Sequence, residues 1–232
     1  MSAPHRETLL PDGARPALHD GTRWIGSWVF FLIYRLRVRG RSRVPATGPL
    51  VLVANHSALI DGPLLYGLLG RRCVFLVKSE MYRWPLGPIL LALGQLPVRR
   101  GEPDRTPLLA AVRTLRAGGV VAVFPEGTRG TGEVASAQQG AAWLARSADA
   151  VVLPVACRGT RRPGDRRRFR PRVDVLIGQP VAVSTGRGRA ALGVATERIR
   201  GELASLVAQL DELRSGAGVG PSTPDGQRRH GE

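Results

Sequence analysis

Cysteine is almost missing from this sequence: Cys73 and Cys157 are the only two in 232 residues. Neither stands in a C-x-x-C pair, and one bridge cannot staple a chain of this size, so a disulfide scaffold is excluded. Four widely spread histidines leave no metal-ligand spacing such as H-E-x-x-H, which argues against a zinc enzyme. Aromatic residues make up only 5%, so stacking platforms for single-stranded nucleic acid are scarce. No nucleic-acid module is recognisable in the chain. No apolar run reaches the roughly 20 residues needed to span a bilayer. The N-terminus shows no basic segment followed by an apolar stretch and cleavage site, so a secretory signal is not expected. Lysine is reduced to Lys78 alone, so 33 of the 34 basic residues (34 − 1) are arginine.

What is present fits a folded domain. Apolar residues are 43% and charged residues 22%, enough for a globular core. The length suits about one domain with appendages. Thirty-four bases against eighteen acids give a net charge of +16. A GC-rich coding genome also produces an arginine bias. A charge of this size nevertheless favours an anionic partner: nucleic acid, an anionic membrane or a phosphorylated substrate.

Four segments are expected. Residues 1–21, without periodicity, read as a disordered lead-in. Residues 22–44 contain the most apolar and aromatic stretch, Trp24 to Tyr34, followed by Arg35, Arg37, Arg39, Arg41 and Arg43. An apolar helix ending in a basic cluster suits the membrane interface, lying in one leaflet rather than crossing it. The same residues also suit an ordinary core helix with a solvated basic end. Residues 45–214 alternate short apolar runs with helical stretches. Strands are expected at 50–55, 73–77, 96–98, 120–124, 151–156, 173–178 and 180–183, and helices at 63–70, 104–118, 138–148 and 188–214. The predicted fold class is therefore α/β: one domain with a central, largely buried mixed sheet flanked by helices. Residues 215–232 read as a disordered tail.

Sites in α/β sheets gather beyond the carboxyl ends of strands. Here those ends empty into polar groups: Asn55 and His56, Arg99 and Arg100, Pro125 and Glu126. His56 and Asp61 could not face each other on one continuous helix, where five positions turn about 140°. They can meet if His56 sits in a turn and Asp61 begins the next helix, which Gly62 and Pro63 favour. A carboxylate on one imidazole nitrogen leaves the other as a base. The residues alone leave a second reading open, a satisfied turn histidine beside a helix cap. In FPEGTR, Phe124 to Arg129, Glu126 and Arg129 could equally form a structural ion pair. In GQLPVRRG, Gly94 to Gly101, the arginines suit phosphate because guanidinium donates two parallel hydrogen bonds. A solvated arginine pair fits there too.

Taken together, Asn55–His56 with Asp61, Gly94 to Arg100, FPEGTR at 124–129 and VLPV at 152–155 resemble the four ordered blocks of the glycerolipid acyltransferases. The similarity is to the branch containing the 1-acylglycerol-3-phosphate acyltransferases and covers roughly 47–186. Gly140 with Ala141, Gly159 with Thr160, and the GQP at 178–180 also fall where that family tends to have such residues. One departure stands out: many members carry Ser two residues after the histidine, where this chain has Ala58. The resemblance implies acyl transfer from a thioester, acyl-CoA or acyl carrier protein, to a hydroxyl of a lysophospholipid. It implies His56 as general base, Asp61 as its orienting carboxylate, and Arg100 and Arg129 on the acceptor phosphate. Glu126, Gly127 and Thr128 would shape acceptor binding, and Lys78 would offer a further anion contact. No metal or redox cofactor is implied. Peripheral or monotopic attachment to the cytoplasmic face of the cell membrane is expected, without nucleic-acid partners. Glycerol-3-phosphate, another lysophospholipid or a glycolipid remain alternative acceptors, and a non-catalytic anionic-lipid-binding protein is the reading from another class. Both cysteines adjoin apolar strands, where a thiol is usually inert.

Overall fold

A computed structural model describes residues 9–99, 105–124, 134–161, 169–183 and 188–216, with backbone only for 134–138. Its frame is a seven-stranded sheet built from β1 (Arg35–Arg39), β2 (Leu50–Ala54), β3 (Cys73–Lys78), β4 (Leu96–Val98), β5 (Val120–Val123), β6 (Val151–Arg158) and β7 (Arg172–Ile177). Across the sheet the order is β1-β7-β6-β2-β5-β3-β4. Every pairing is parallel except β6 with β7. β2 is central, and all five of its residues are buried. That explains its unbroken apolar run, since a parallel strand covered on both faces has no polar side to show.

Strand alternation sorts the core into two layers. Leu50, Leu52 and Ala54 point into one cluster, packed under α1 (Pro16–Ile33) and α2 (Asp61–Leu68). Val51 and Val53 point into the other, beneath α4 (Thr106–Arg116), α5 (Val134–Ser147) and α6 (Arg189–Gly216). A short α3 (Leu86–Ala92) precedes β4. α1 and α2 approach closely at Gly67, where a Cβ would stand 3.1 Å from the Ser27 backbone nitrogen. The far end of α6 is fixed through Asp174 of β7, a buried carboxylate that accepts from Arg172 and Arg214. Arg158 of β6 holds Asp211 of α6 with both ends of its guanidinium.

Several expected boundaries move. The lead-in expected over 1–21 ends much earlier, because Leu10 is buried in the core and α1 starts at Pro16. Pro16 sits in the first helical turn, where its missing N–H costs nothing. The basic segment after Tyr34 forms β1, an edge strand paired with β7 and not foreseen from the sequence. Its Leu36 and Val38 pack into the α1–α2 layer, so Arg35, Arg37 and Arg39 stand on the opposite sheet face. Arg41 and Arg43 donate to the carbonyls of Leu68 and Ile177. The five arginines are therefore not one headgroup-facing cluster behind the helix. Residues 180–183, expected as a strand, contribute only a single bridge between Val181 and Val152. α6 continues to Gly216, and the rest of the expected tail lies outside the described residues. No described helix is long and apolar enough to cross a membrane.

Candidate active site

Because β2, β3, β4, β5 and β6 run the same way, their carboxyl ends share one edge of the molecule. His56 leaves β2 two residues past Ala54, and Asp61 opens α2. His56 Nδ1 lies 3.1 Å from Asp61 Oδ2. The expected meeting of a turn histidine with a helix-start carboxylate is therefore present. Asp61 is not capping its own helix: Oδ2 accepts from the preceding turn, the Ser57 N–H at 2.7 Å and the Ala58 N–H at 2.8 Å. Ala58 thus acts through its backbone, and the absence of a serine hydroxyl there leaves this contact intact.

The Asp61 side chain is fully buried, whereas that of His56 is 17% exposed. Burial alone would raise the Asp61 pKa. Hydrogen bonding to His56 and to the Ala58 and Ser57 N–H groups, with the influence of the Thr160 hydroxyl, outweighs it and holds the carboxyl below its ordinary value. An ionised carboxylate on Nδ1 fixes the tautomer that leaves Nε2 free to accept a proton.

Two neighbours complete the setting. The Phe124 ring, at the exit of β5, stacks on His56 with centroids 4.3 Å apart and on Phe75 at 5.8 Å. Asn55 is buried and locks β2 to β6: its Oδ1 accepts from the Cys157 N–H and its Nδ2 donates to the Cys157 carbonyl. Neither role is readable from residue type alone, although Phe124 belongs to FPEGTR and Asn55 precedes the histidine. The thiols of Cys73 and Cys157 are fully buried, and burial pushes both far up, which keeps them un-ionised. Neither is a nucleophile poised for acyl transfer.

Lys78, exposed at the end of β3, shares this edge but is not joined to the dyad by a hydrogen bond or ion pair among the described residues. Its strand stands two places from β2, roughly 10 Å at ordinary strand spacing. β4, which leads to Arg99 and Arg100, stands three places away, about 14 Å. Arg100, Glu126, Gly127, Thr128 and Arg129 themselves lie outside the described residues. The last described residue before the FPEGTR remainder, Phe124, is the one in contact with His56.

Comparison with known proteins agrees with this arrangement. Residues 35–158 match the acyltransferase family. The chain is 26% identical over 184 residues to 1-acyl-sn-glycerol-3-phosphate acyltransferase of Bacillus subtilis, covering 77% of this chain and 91% of that protein. It is 30% identical over 137 residues to human 1-acyl-sn-glycerol-3-phosphate acyltransferase beta, covering 57% of this chain and 49% of the human protein. The crystal structure of the 1-acyl-sn-glycerophosphate acyltransferase PlsC from Thermotoga maritima aligns with a TM-score of 0.64 at 25% identity. That alignment covers 85% of this chain and 80% of the other. The paired His56 and Asp61 fall inside the matched region, on the shared fold, and the chain belongs to the acyltransferase family.

Proposed function

We propose that the protein transfers a fatty acyl group to the free hydroxyl of a lysophospholipid, above all 1-acylglycerol-3-phosphate, giving phosphatidic acid in phospholipid biosynthesis. The donor is acyl-CoA or acyl carrier protein, and no metal or redox cofactor takes part. The observation that carries this reading is the His56–Asp61 pair at the carboxyl edge of the sheet. His56 Nε2 takes the acceptor hydroxyl proton as the oxygen attacks the thioester carbonyl. Asp61 supports the imidazolium while the tetrahedral intermediate exists. Collapse expels the thiolate, which recovers the proton from His56, so no covalent acyl-enzyme is needed. Arg129 follows β5, the sheet neighbour of β2, and with Arg100 it holds the acceptor phosphate. Glu126, Gly127 and Thr128 shape the acceptor's seat, and Lys78 adds a more distant positive charge. The similarity of the chain to enzymes named for this acceptor supports the choice.

The substrates' acyl chains favour a bilayer, and α1 offers the surface to meet one. Trp24, Ile25, Trp28, Val29 and Leu32 are all exposed on it, a solvent-facing apolar stripe at helical spacing. We place the protein peripherally on the cytoplasmic face of the membrane, with its net charge of +16 favouring anionic lipid.

The test is His56→Ala in a purified assay with labelled acyl donor and a panel of acceptors. Loss of a general base lowers kcat by about 10²–10⁴-fold. A folded variant within threefold of wild type removes His56 from the mechanism. Wild-type turnover of glycerol-3-phosphate or a glycolipid in preference to 1-acylglycerol-3-phosphate corrects the acceptor.

A further inference from the structure

Asp61 is only half accounted for by the dyad. Its Oδ2 takes the histidine and two backbone N–H groups, while Oδ1 is buried with no hydrogen-bond partner among the described residues. A second orphan lies just past the end of β6: the Thr160 hydroxyl, on a residue 5% exposed, is likewise buried without a partner. A lone buried acceptor and a lone buried donor are each costly, and a bond between them would satisfy both.

The chain is shaped to bring Thr160 there. Asn55 clamps Cys157 with two hydrogen bonds, which fixes the end of β6 against the turn that carries His56. Two residues later Gly159 turns the backbone with φ +89. A Cβ at that position would stand 2.2 Å from the Arg172 carbonyl oxygen, so the turn admits glycine only. The groups facing Asp61 from the surrounding elements are His56, Ser57 and Ala58 in the turn, the neutral Cys157 thiol of β6, and Thr160. Thr160 is the one hydroxyl among those that depress the Asp61 carboxyl.

Resting on the dyad assigned above, we propose that Thr160 is a positioning residue whose hydroxyl donates to Asp61 Oδ1, closing the bond as imidazolium charge develops on His56. Hydrogen bonds in unliganded sites are often long and tighten only in the reacting complex. Donation to Oδ1 pins the carboxylate plane and keeps Oδ2 aimed at Nδ1. Thr160 touches neither substrate nor the reacting atoms.

Thr160→Val keeps the shape and removes the donor, whereas Thr160→Ser keeps the donor and removes the methyl. The valine variant is expected to lose about 10- to 100-fold in kcat, the loss expected for a hydrogen bond to a charged group, with the KM of both substrates unchanged. Its acid limb of kcat against pH moves to lower pH, because a bond that closes as the imidazolium forms stabilises that charge, and without it the imidazolium gives up its proton more readily. The serine variant is expected to match wild type. Should the valine variant fail to fold, Thr160→Ala against Thr160→Ser makes the same comparison. Wild-type kcat in the hydroxyl-free variant, equal damage in the serine variant, a raised KM at unchanged kcat, or a lowered kcat with an unmoved acid limb would each overturn the proposal. His56→Ala measured alongside separates the two levels: an active alanine variant refutes the dyad, whereas an inactive one beside a fully active Thr160→Val refutes only the role of Thr160.

Discussion

Asp61 is the residue on which most of the site's physics converges. It is a fully buried carboxylate kept ionised by donors that outweigh its desolvation. Asp61→Asn presents an amide to His56, which can stabilise the wrong tautomer and cannot support an imidazolium. We expect kcat to fall by roughly 10²–10⁴-fold in a folded protein, measured with saturating donor and acceptor. The same residue gives a pH signature. A carboxyl whose folded pKa is depressed stabilises the fold fully above its unfolded pKa, and that stabilisation disappears as pH falls through the folded value. The ordinary value is 3.8, so the loss belongs to the acid range below it. Asp20 and Asp211 are also depressed by hydrogen bonds from arginines, but their side chains are 41% and 50% exposed, and solvent screens them. Asp61→Asn should therefore flatten acid unfolding more than Asp20→Asn does, followed by circular dichroism from neutral pH down to about pH 2. Equal slopes in the two variants remove Asp61 from the acid response.

At the scale of elements, α1 carries two opposed surfaces. One side packs on α2 around Gly67 and buries His19 and Phe30. The other presents Trp24 and Trp28, 64% and 59% exposed, edge to face at 6.3 Å. Exposed indoles contribute little to folding, so Trp24→Ser with Trp28→Ser should leave Tm nearly unchanged. Vesicle binding, read by sedimentation with anionic liposomes, should weaken about tenfold or more, since each indole buries a large amphipathic ring in the interface. Binding equal to wild type moves the membrane contact elsewhere. Activity on a soluble short-chain donor and a water-soluble acceptor should survive. Replacing Arg41 and Arg43 is a poorer probe of the membrane, because each guanidinium already donates to a backbone carbonyl within the fold.

For the molecule as a whole, the long final helix is tied to the sheet by charge as well as by Leu206 and Leu210. Asp174 accepts from Arg172 on its own strand and Arg214 on α6, and its carboxylate is almost completely buried. Asp174→Ala removes two charge-assisted hydrogen bonds, while both arginines keep access to water. We expect a loss of about 2–3 kcal/mol in urea unfolding, with the dyad and its pH dependence unaltered. A change below 0.5 kcal/mol shows that apolar packing alone holds α6.

How legible the protein was differs by segment. The buried strands Leu50–Ala54 and Val120–Val123 stand out as apolar runs, because a parallel strand covered on both faces has to be apolar throughout. β1 does not stand out. Its alternating Arg-Leu-Arg-Val-Arg has one solvated face, and only pairing with β7, more than 130 positions away in sequence, makes it a strand. Leu10 lacks any local pattern and becomes core through distant packing.

The α/β class, the strand-end placement of His56 and the block order that resembles the acyltransferases are written in the chain itself. Those are properties of local composition, spacing and order. Which distant partners a side chain meets depends on how the elements pack. The fold lays Phe124 on the imidazole and splits the arginines after Tyr34 between a sheet face and hydrogen bonds to backbone carbonyls. Such contacts depend on which strands become neighbours across the sheet, and separation along the chain does not encode that order.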